Sequence, residues 1–138
     1  MKQDFHTVSI STHAARLYEF TEAAEMFVRK SGIADGLLTC FIRHTSASLL
    51  IQENADPNVQ KDLLAAFARL APEDFPYKHD EEGPDDMPSH IKSALTAVSI
   101  GVPVRAAKLA LGTWQGLYLF EHRAIPHRRE VLLHLIGE

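Results

Sequence analysis

Residues 102–136 read VPVRAAKLALGTWQGLYLFEHRAIPHRREVLLHLI and contain three apolar runs with strand character. The runs are 102–111, 117–121 and 130–136, and the connections between them are short. Neighbouring parallel strands need a crossover of a dozen or more residues, usually a helix. We therefore expect these final strands to lie side by side and to pair antiparallel.

Three further strands are predicted upstream of this region. They are 5–11, 37–43 and 48–52, and the last two are expected to be neighbours because only a short polar break separates them. The single cysteine, Cys40, lies inside the second run. In that setting it is expected to be a small buried apolar residue rather than a disulfide partner.

Helix signals separate the predicted strands. Thr21 is expected to act as the N-cap of a first helix that ends at Gly32. Asp56 followed by Pro57 predicts the start of a second helix, because Asp can cap free amide groups and Pro at the first position gives up no hydrogen bond. A third helix is predicted to begin at Ser89.

Length and composition predict the class of protein. The chain has 138 residues, a usual size for one domain, and we expect a single α+β domain over 1–138. Its mixed, largely antiparallel sheet should pack with about three helices. A net charge of −4 argues against a nucleic-acid partner, and the lack of a long apolar segment argues against a membrane partner. We expect a cytoplasmic protein, and no organic cofactor is indicated.

The segment 72–88 contains four prolines and many acidic residues, so no regular element is predicted there. Long irregular loops are usually functional or disordered, and its aromatic residues favour order. His79 lies within this loop and His90 just after it. At the start of a helix, His90 would be held neutral by the helix dipole and free to bind a metal or a proton. The alternative is that His90 only caps or packs.

A second polar segment follows the predicted strand 37–43. His44 is a possible proton carrier, and the hydroxyls of Thr45 and Ser46 are suited to holding a phosphate oxygen. The alternative is an ordinary turn whose polar groups already have hydrogen-bond partners within the chain. Glu53 and Asp56 add carboxylates after the next strand, although capping alone would explain Asp56.

These side chains suggest a metal site without identifying the metal. The candidate ligands are Glu53, Asp56, His79 and His90, with Asp80 beside them. Mixed imidazole and carboxylate ligands do not by themselves choose between Zn, Mn and Mg.

The segment 112–116, Gly-Thr-Trp-Gln-Gly, joins two of the final strands. It could form a hairpin with a packed Trp114. It could instead present Gln115 as an amide donor to a ligand, with Trp114 as a wall of the site.

Several short motifs together resemble the YjbQ family of small bacterial and archaeal proteins, described as secondary thiamine-phosphate synthases. The matching pieces occur in order through most of the chain: Ser31-Gly32, Gly36-Leu37-Leu38, His44-Thr45-Ser46-Ala47, Glu53-Asn54-Ala55-Asp56-Pro57, His79-Asp80, Asp85-Asp86-Met87-Pro88-Ser89-His90-Ile91-Lys92 and Gly112-Thr113-Trp114-Gln115-Gly116. The segment 122–129 departs from the family pattern in length and charge, so it is assigned no role.

The resemblance implies an α+β fold that forms a homotrimer with a polar site near a subunit interface. It implies a secondary activity that joins a pyrimidine diphosphate to a thiazole phosphate and releases pyrophosphate, so the substrate would be a phosphorylated small molecule. In this hypothesis the roles are shared among the following residues: Glu53, Asp56, His79 and His90 as divalent-ion or phosphate ligands, His44 and Asp80 as proton carriers together with His79 and His90, and Thr45, Ser46, Trp114 and Gln115 as substrate contacts. A metal-dependent hydrolase and a non-catalytic metabolite- or metal-binding module remain alternatives.

Overall fold

The computed structural model describes residues 1–138, which form eight strands and three helices. In chain order they are β1 (Lys2–Thr12), β2 (Leu17–Glu19), α1 (Thr21–Ser31), β3 (Gly36–Ile42), β4 (Ala47–Glu53), α2 (Pro57–Leu70), α3 (Asp86–Leu95), β5 (Ser99–Arg105), β6 (Lys108–Leu109), β7 (Gln115–Glu121) and β8 (His127–Gly137). The predicted α+β class with three helices is confirmed.

The strands form two sheets in which every pairing is antiparallel. The first has the order β1-β8-β3-β5-β6 and the second the order β2-β7-β4. The prediction that β3 and β4 pair as neighbours is wrong, because the turn at 43–46 carries the chain from one sheet to the other. The final strands β5, β7 and β8 also do not pair with one another. Each of these three strands instead pairs with at least one strand from earlier in the chain.

The hydrophobic core lies between the two sheets. Leu38 and Leu133 point into it from the first sheet, and Leu49 and Leu119 from the second, and all four are fully buried. Strand side chains alternate between faces, so every second residue of β3 and β8 contributes to this layer. Cys40 is fully buried as predicted, and burial raises the pKa of its thiol to about 12.

The two longer helices follow the sequence signals closely. Thr21 is the first residue of α1 rather than its cap, and its Oγ1 accepts a hydrogen bond from the N–H of Leu117 at 2.8 Å. The helix ends at Gly32, which adopts the left-handed conformation with φ 72°. Asp56 caps α2 by accepting from the N–H of Asn58 at 2.9 Å. None of the three helices is long and apolar enough to cross a membrane.

The two sheets differ in how their outer faces are covered. Helix α2 lies over the second sheet, where Leu64 and Phe67 pack against buried side chains of that sheet. The outer face of the first sheet has no such cover. Its exposed large apolar residues come from β1, β3 and β8: Phe5, Leu37, Phe41 and Ile136.

Candidate functional site

Helix α3 begins earlier than the sequence predicts. Asp85 occupies the N-cap position and Asp86 is the first helical residue, so Ser89 lies inside the helix and is fully buried instead of capping it. Pro88 is compatible with this position because the first turn of a helix has no internal hydrogen bond to lose. His90 is therefore one turn into the helix rather than at its first position, where the dipole argument would apply most strongly.

This shift places Asp86 and His90 four residues apart on one face of α3. Asp86 is buried, and its Oδ2 lies 3.3 Å from His90 Nε2. His79 approaches from the preceding loop, and its Nε2 lies 2.7 Å from the same oxygen. One carboxylate oxygen thus faces two imidazole nitrogens, with the ring centroids of the two histidines 5.5 Å apart.

A backbone carbonyl fixes the orientation of His90. The Nδ1 of His90 lies 3.0 Å from the carbonyl oxygen of Thr45, in the turn between β3 and β4. Because a carbonyl oxygen only accepts hydrogen bonds, Nδ1 must carry a proton. In a neutral ring, Nε2 then points a lone pair at the Asp86 carboxylate. Either a second proton on the ring or a cation between these atoms relieves that repulsion.

Arg123 holds the other side of the carboxylate. Its Nη1 donates to Asp86 Oδ1 at 2.7 Å, and its Nη2 donates to the carbonyl oxygen of Glu82 at 2.9 Å. Asp85 lies 3.3 Å from Arg123 Nε and also accepts from the N–H of Ala124. The connection between β7 and β8 therefore fastens the acidic loop to the start of α3.

These contacts keep Asp86 ionised. Burial by itself would raise the pKa of Asp86. The hydrogen bond from His79 and the charges of His90 and Arg123 outweigh that effect, so the pKa of Asp86 is lowered. A metal ligand must be deprotonated, and this carboxylate meets that requirement at neutral pH.

His79, Asp86 and His90 form a group with the composition of a metal site. One potential ligand atom from each residue lies within 4.8 Å of the others. Two imidazoles and one carboxylate suit Zn²⁺ and other first-row divalent ions better than Mg²⁺, which prefers oxygen ligands. His79 is exposed, which leaves one side of the group open for a water molecule or a substrate.

A buried ion pair supports the turn that orients His90. Glu121, at the end of β7, accepts from Arg129 Nε at 2.8 Å and from Nη2 at 2.6 Å. The same Nη2 donates to Ser46 Oγ at 2.9 Å. Burial would raise the pKa of Glu121, but the hydrogen bonds from Arg129 and Thr12 outweigh it and lower the pKa. The pair ties strands β7 and β8 to the turn at 43–46.

A second buried polar group lies between β4, β7 and the end of α3. His122 Nε2 is 2.9 Å from Ser48 Oγ, and Thr96 Oγ1 is hydrogen-bonded to the same hydroxyl. His122 and Ser48 are both buried. Burial, followed by the nearby charge of Lys92, lowers the pKa of His122 to about 3, so its ring is neutral at physiological pH.

Comparison with known proteins identifies the family. A family model described as "UPF0047 protein YjbQ-like" matches residues 6–138. The chain belongs to the YjbQ-like UPF0047 family. A UPF0047 protein of Synechocystis is 51% identical over 138 residues, covering 99% of this chain and 94% of that protein. The YjbQ protein of Salmonella typhimurium is 48% identical over 106 residues, covering 77% of each chain.

Solved structures of YjbQ-like proteins share the whole fold. An uncharacterized YjbQ/UPF0047 protein of Clostridium acetobutylicum matches with a TM-score of 0.88 and 34% identity, covering 95% of this chain and 99% of that one. A YjbQ-like protein of unknown function from Sulfolobus solfataricus matches with a TM-score of 0.87 and 25% identity, covering 99% and 100%. These matches confirm the family resemblance and the fold.

The predicted site residues of this YjbQ-like chain divide into two groups. His79 and His90 meet as predicted, and Thr45 joins them through its carbonyl group rather than its hydroxyl. Ser46 is buried and bonded to Arg129, so its hydroxyl is already engaged. His44 points the other way, since its Nε2 accepts from the N–H of Glu130 at 3.0 Å. Asp80 is exposed and lies beside His79 at a small cavity of about 140 Å³, outside the ligand group.

The remaining predicted residues lie at the far end of the second sheet. Glu53 pairs with Gln115 at one end of the seven-residue β4–β7 ladder, and Ala47 pairs with Glu121 at the other. At 3.4 Å per residue these ends are about 20 Å apart. Glu53 and Asp56 therefore cannot share an ion with His79 and His90 of the same chain.

The segment 112–116 also differs from the simple hairpin interpretation. Trp114 is 63% exposed instead of packed, and its carbonyl oxygen accepts from the N–H of Asn54 at 2.9 Å. Gln115 Oε1 accepts from the N–H of Gly112 at 2.8 Å, which stabilises the turn. Within one chain, neither side chain reaches the histidine group.

Sequence reasoning missed Asp86 and Arg123. Asp86 and His90 are four residues apart, which is a signal for one helix face only if the helix begins at Asp86 and not at Ser89. Arg123 had no signal, because its partners Glu82, Asp85 and Asp86 are about forty residues away in sequence and only the fold brings them together.

Proposed function

We propose that this protein binds a first-row divalent cation through His79, Asp86 and His90 and acts there on a phosphorylated small molecule. The observation that carries the proposal is the position of Asp86 Oδ2, which faces the Nε2 atoms of both histidines. The carbonyl oxygen of Thr45 requires a proton on the far nitrogen of His90. This arrangement presents a lone pair and a carboxylate oxygen to one point in space.

Each protein group has a specific task in this proposal. A bound ion would supply positive charge that offsets the charge on a departing phosphate or diphosphate group. Arg123 keeps Asp86 Oδ2 turned toward the histidines by occupying Oδ1. Thr45 holds His90 in a defined orientation through the ring nitrogen that faces away from Asp86, as the outer partners of metal-binding histidines usually do. The exposed side of His79 leaves access for the substrate.

For the reaction itself we propose the secondary formation of thiamine phosphate from a pyrimidine diphosphate and a thiazole phosphate, with release of pyrophosphate. The family resemblance supports this choice, and the ion site meets the electrostatic need of the departing diphosphate. Metal-dependent hydrolysis of a small phosphorylated metabolite is the second candidate. The open side of the ligand group favours it, because water could take the place of the thiazole there.

The test is turnover by the purified protein with and without added Zn²⁺ or Mn²⁺. We expect thiamine phosphate and pyrophosphate to appear together in the wild type and to be lost in Asp86→Asn. Glu81→Gln is the matched control, because Glu81 is an exposed acid of the same loop outside the ligand group. Phosphate release in the absence of the thiazole acceptor would show that the reaction is hydrolysis and not transfer. Ion-dependent thermal stabilisation with no turnover would leave only a binding module.

We also propose that the protein assembles as a homotrimer through the outer face of the first sheet. Exposed Leu37 lies beside Ile136 and Pro103 on that face, and Phe41 lies beside Leu132. No Asp, Glu, Lys or Arg occurs among these five residues. Large exposed apolar patches on a small domain usually mark an interface.

A further inference from the structure

We propose that a groove between the free edge of β1 and helix α1 binds an extended, basic segment of a partner protein by strand addition. This surface is separate from the histidine group and meets the outer sheet face only at Phe5. The proposal is based on the free sheet edge, the helix wall beside it and the charge along that wall.

The free edge belongs to β1, the first strand in the order β1-β8-β3-β5-β6. Over Lys2–Thr12 it pairs with β8 on one side and with no strand on the other. Its eleven residues contain no proline or glycine. Charged residues occur only at positions 2 and 4, so the usual features that protect an edge from pairing are absent from the rest of the strand.

Helix α1 runs beside this edge in the opposite direction. A cleft of about 850 Å³ is lined by Val8 and Ile10 of β1 and by residues from the start of α1. A second cleft of about 320 Å³ is lined by residues 4–6 of β1 and by residues further along α1. Ala23 and Met26 line both clefts, so the two form one groove between strand and helix.

A groove between an edge strand and a helix suits an added β-strand. The backbone of a bound peptide would pair with the free N–H and C=O groups of β1. Alternate side chains would then contact the apolar wall formed by Ala23 and by Met26, which is exposed. The same arrangement of edge strand and helix serves in several peptide-binding domains.

The charge of the groove selects the partner. Glu19, Glu22 and Glu25 line the larger cleft, which has no Lys or Arg, while Asp4 and Lys30 of the smaller cleft offset each other in charge. An extended segment in which Lys or Arg alternates with apolar residues would match both the acids and the apolar wall. A second copy of β1 would bring one Lys and no Arg to face the three acids.

The test uses the hexapeptide acetyl-KVKVKV-amide as probe and amide hydrogen exchange of the full protein as readout. We expect saturable binding at about 0.15 M salt, with slower exchange of the β1 amides that point away from β8. Acetyl-EVEVEV-amide and acetyl-KVKPKV-amide should not slow that exchange. The second of these keeps the charge but lacks one backbone N–H and disfavours a strand.

Two variants test whether peptide binding depends on the acids of the groove or on the negative charge of the surface in general. Glu25→Lys should weaken binding of the basic peptide by roughly fivefold or more, because it replaces an attraction by a repulsion. Asp62→Lys makes the same kind of charge reversal on exposed α2 and should leave binding unchanged. Equal binding of the proline peptide, or equal weakening by both variants, would overturn the proposal. So would β1 amides already protected in the free protein, which would place a second copy on the edge.

Discussion

At the scale of single residues, the carboxylate of Asp86 determines what the site can do. Its two oxygens are used differently, since Oδ1 accepts from Arg123 and Oδ2 faces His79 and His90. A buried carboxylate without a partner would cost folding free energy, so the groups around Asp86 have to supply compensating positive charge. The nearby residue Asp80, to which the family resemblance assigns proton transfer, has no such contacts.

The buried ring of His122 predicts how the free energy of unfolding depends on pH. Its pKa falls from 6.5 to about 3 on folding, so between these values the unfolded chain binds the extra proton. The free energy of unfolding should therefore decrease as pH is lowered from about 6.5 toward 3. In His122→Gln, the slope of this decrease between about pH 5 and 6 should be smaller than in the wild type by about 1.2 kcal/mol per pH unit.

Denaturant unfolding at several pH values measures this slope. Ser48→Ala is the control, because it removes the hydrogen-bond partner but leaves a buried, titratable His122. It should lower stability at every pH while the slope stays close to that of the wild type. An unchanged slope in His122→Gln would show that the ring does not lose its proton on folding.

At the scale of elements, the sequence predicted helices whose ends carry strong local signals. Asp56 and Pro57 place the start of α2 correctly, and Gly32 places the end of α1. The predicted start of α3 is displaced because Ser89 is a common N-cap residue. The fold instead uses Asp85 as the N-cap and buries Ser89 inside the helix.

For the strands, local sequence is a weaker guide than it is for the helices. Their positions follow from local composition, but their partners do not. Alternation in β3 and β8 indicates which face is buried, while the pairing of β8 with both β1 and β3 depends on contacts across most of the chain. For the same reason the sequence could group Glu53 with His79 although the two lie at different ends of the β4–β7 ladder.

At the scale of the whole molecule, the two sheets leave one broad surface uncovered. Leu37 is 45% exposed and Phe41 is 43% exposed at the middle strand of the first sheet. If the trimer forms there, Phe41→Asp should produce monomers, because a carboxylate on this face would have to be buried without a partner. Sedimentation equilibrium measures the mass directly.

A matched substitution on helix α2 controls for charge alone. Leu70 is also exposed and apolar but lies at the end of α2, away from the proposed interface. Leu70→Asp should remain trimeric. A monomeric wild type, or a trimer that survives Phe41→Asp, would contradict the assignment of this face.

The most direct measurement is the equilibrium binding of Zn²⁺ to the purified chain by titration calorimetry. We predict one ion per chain in the wild type. Glu81→Gln should bind Zn²⁺ with the same affinity, whereas Asp86→Asn should bind at least about tenfold more weakly, since it removes a charged ligand. A folded wild type that binds no Zn²⁺, or an Asp86→Asn protein that binds it as tightly as the wild type, would contradict the proposed site.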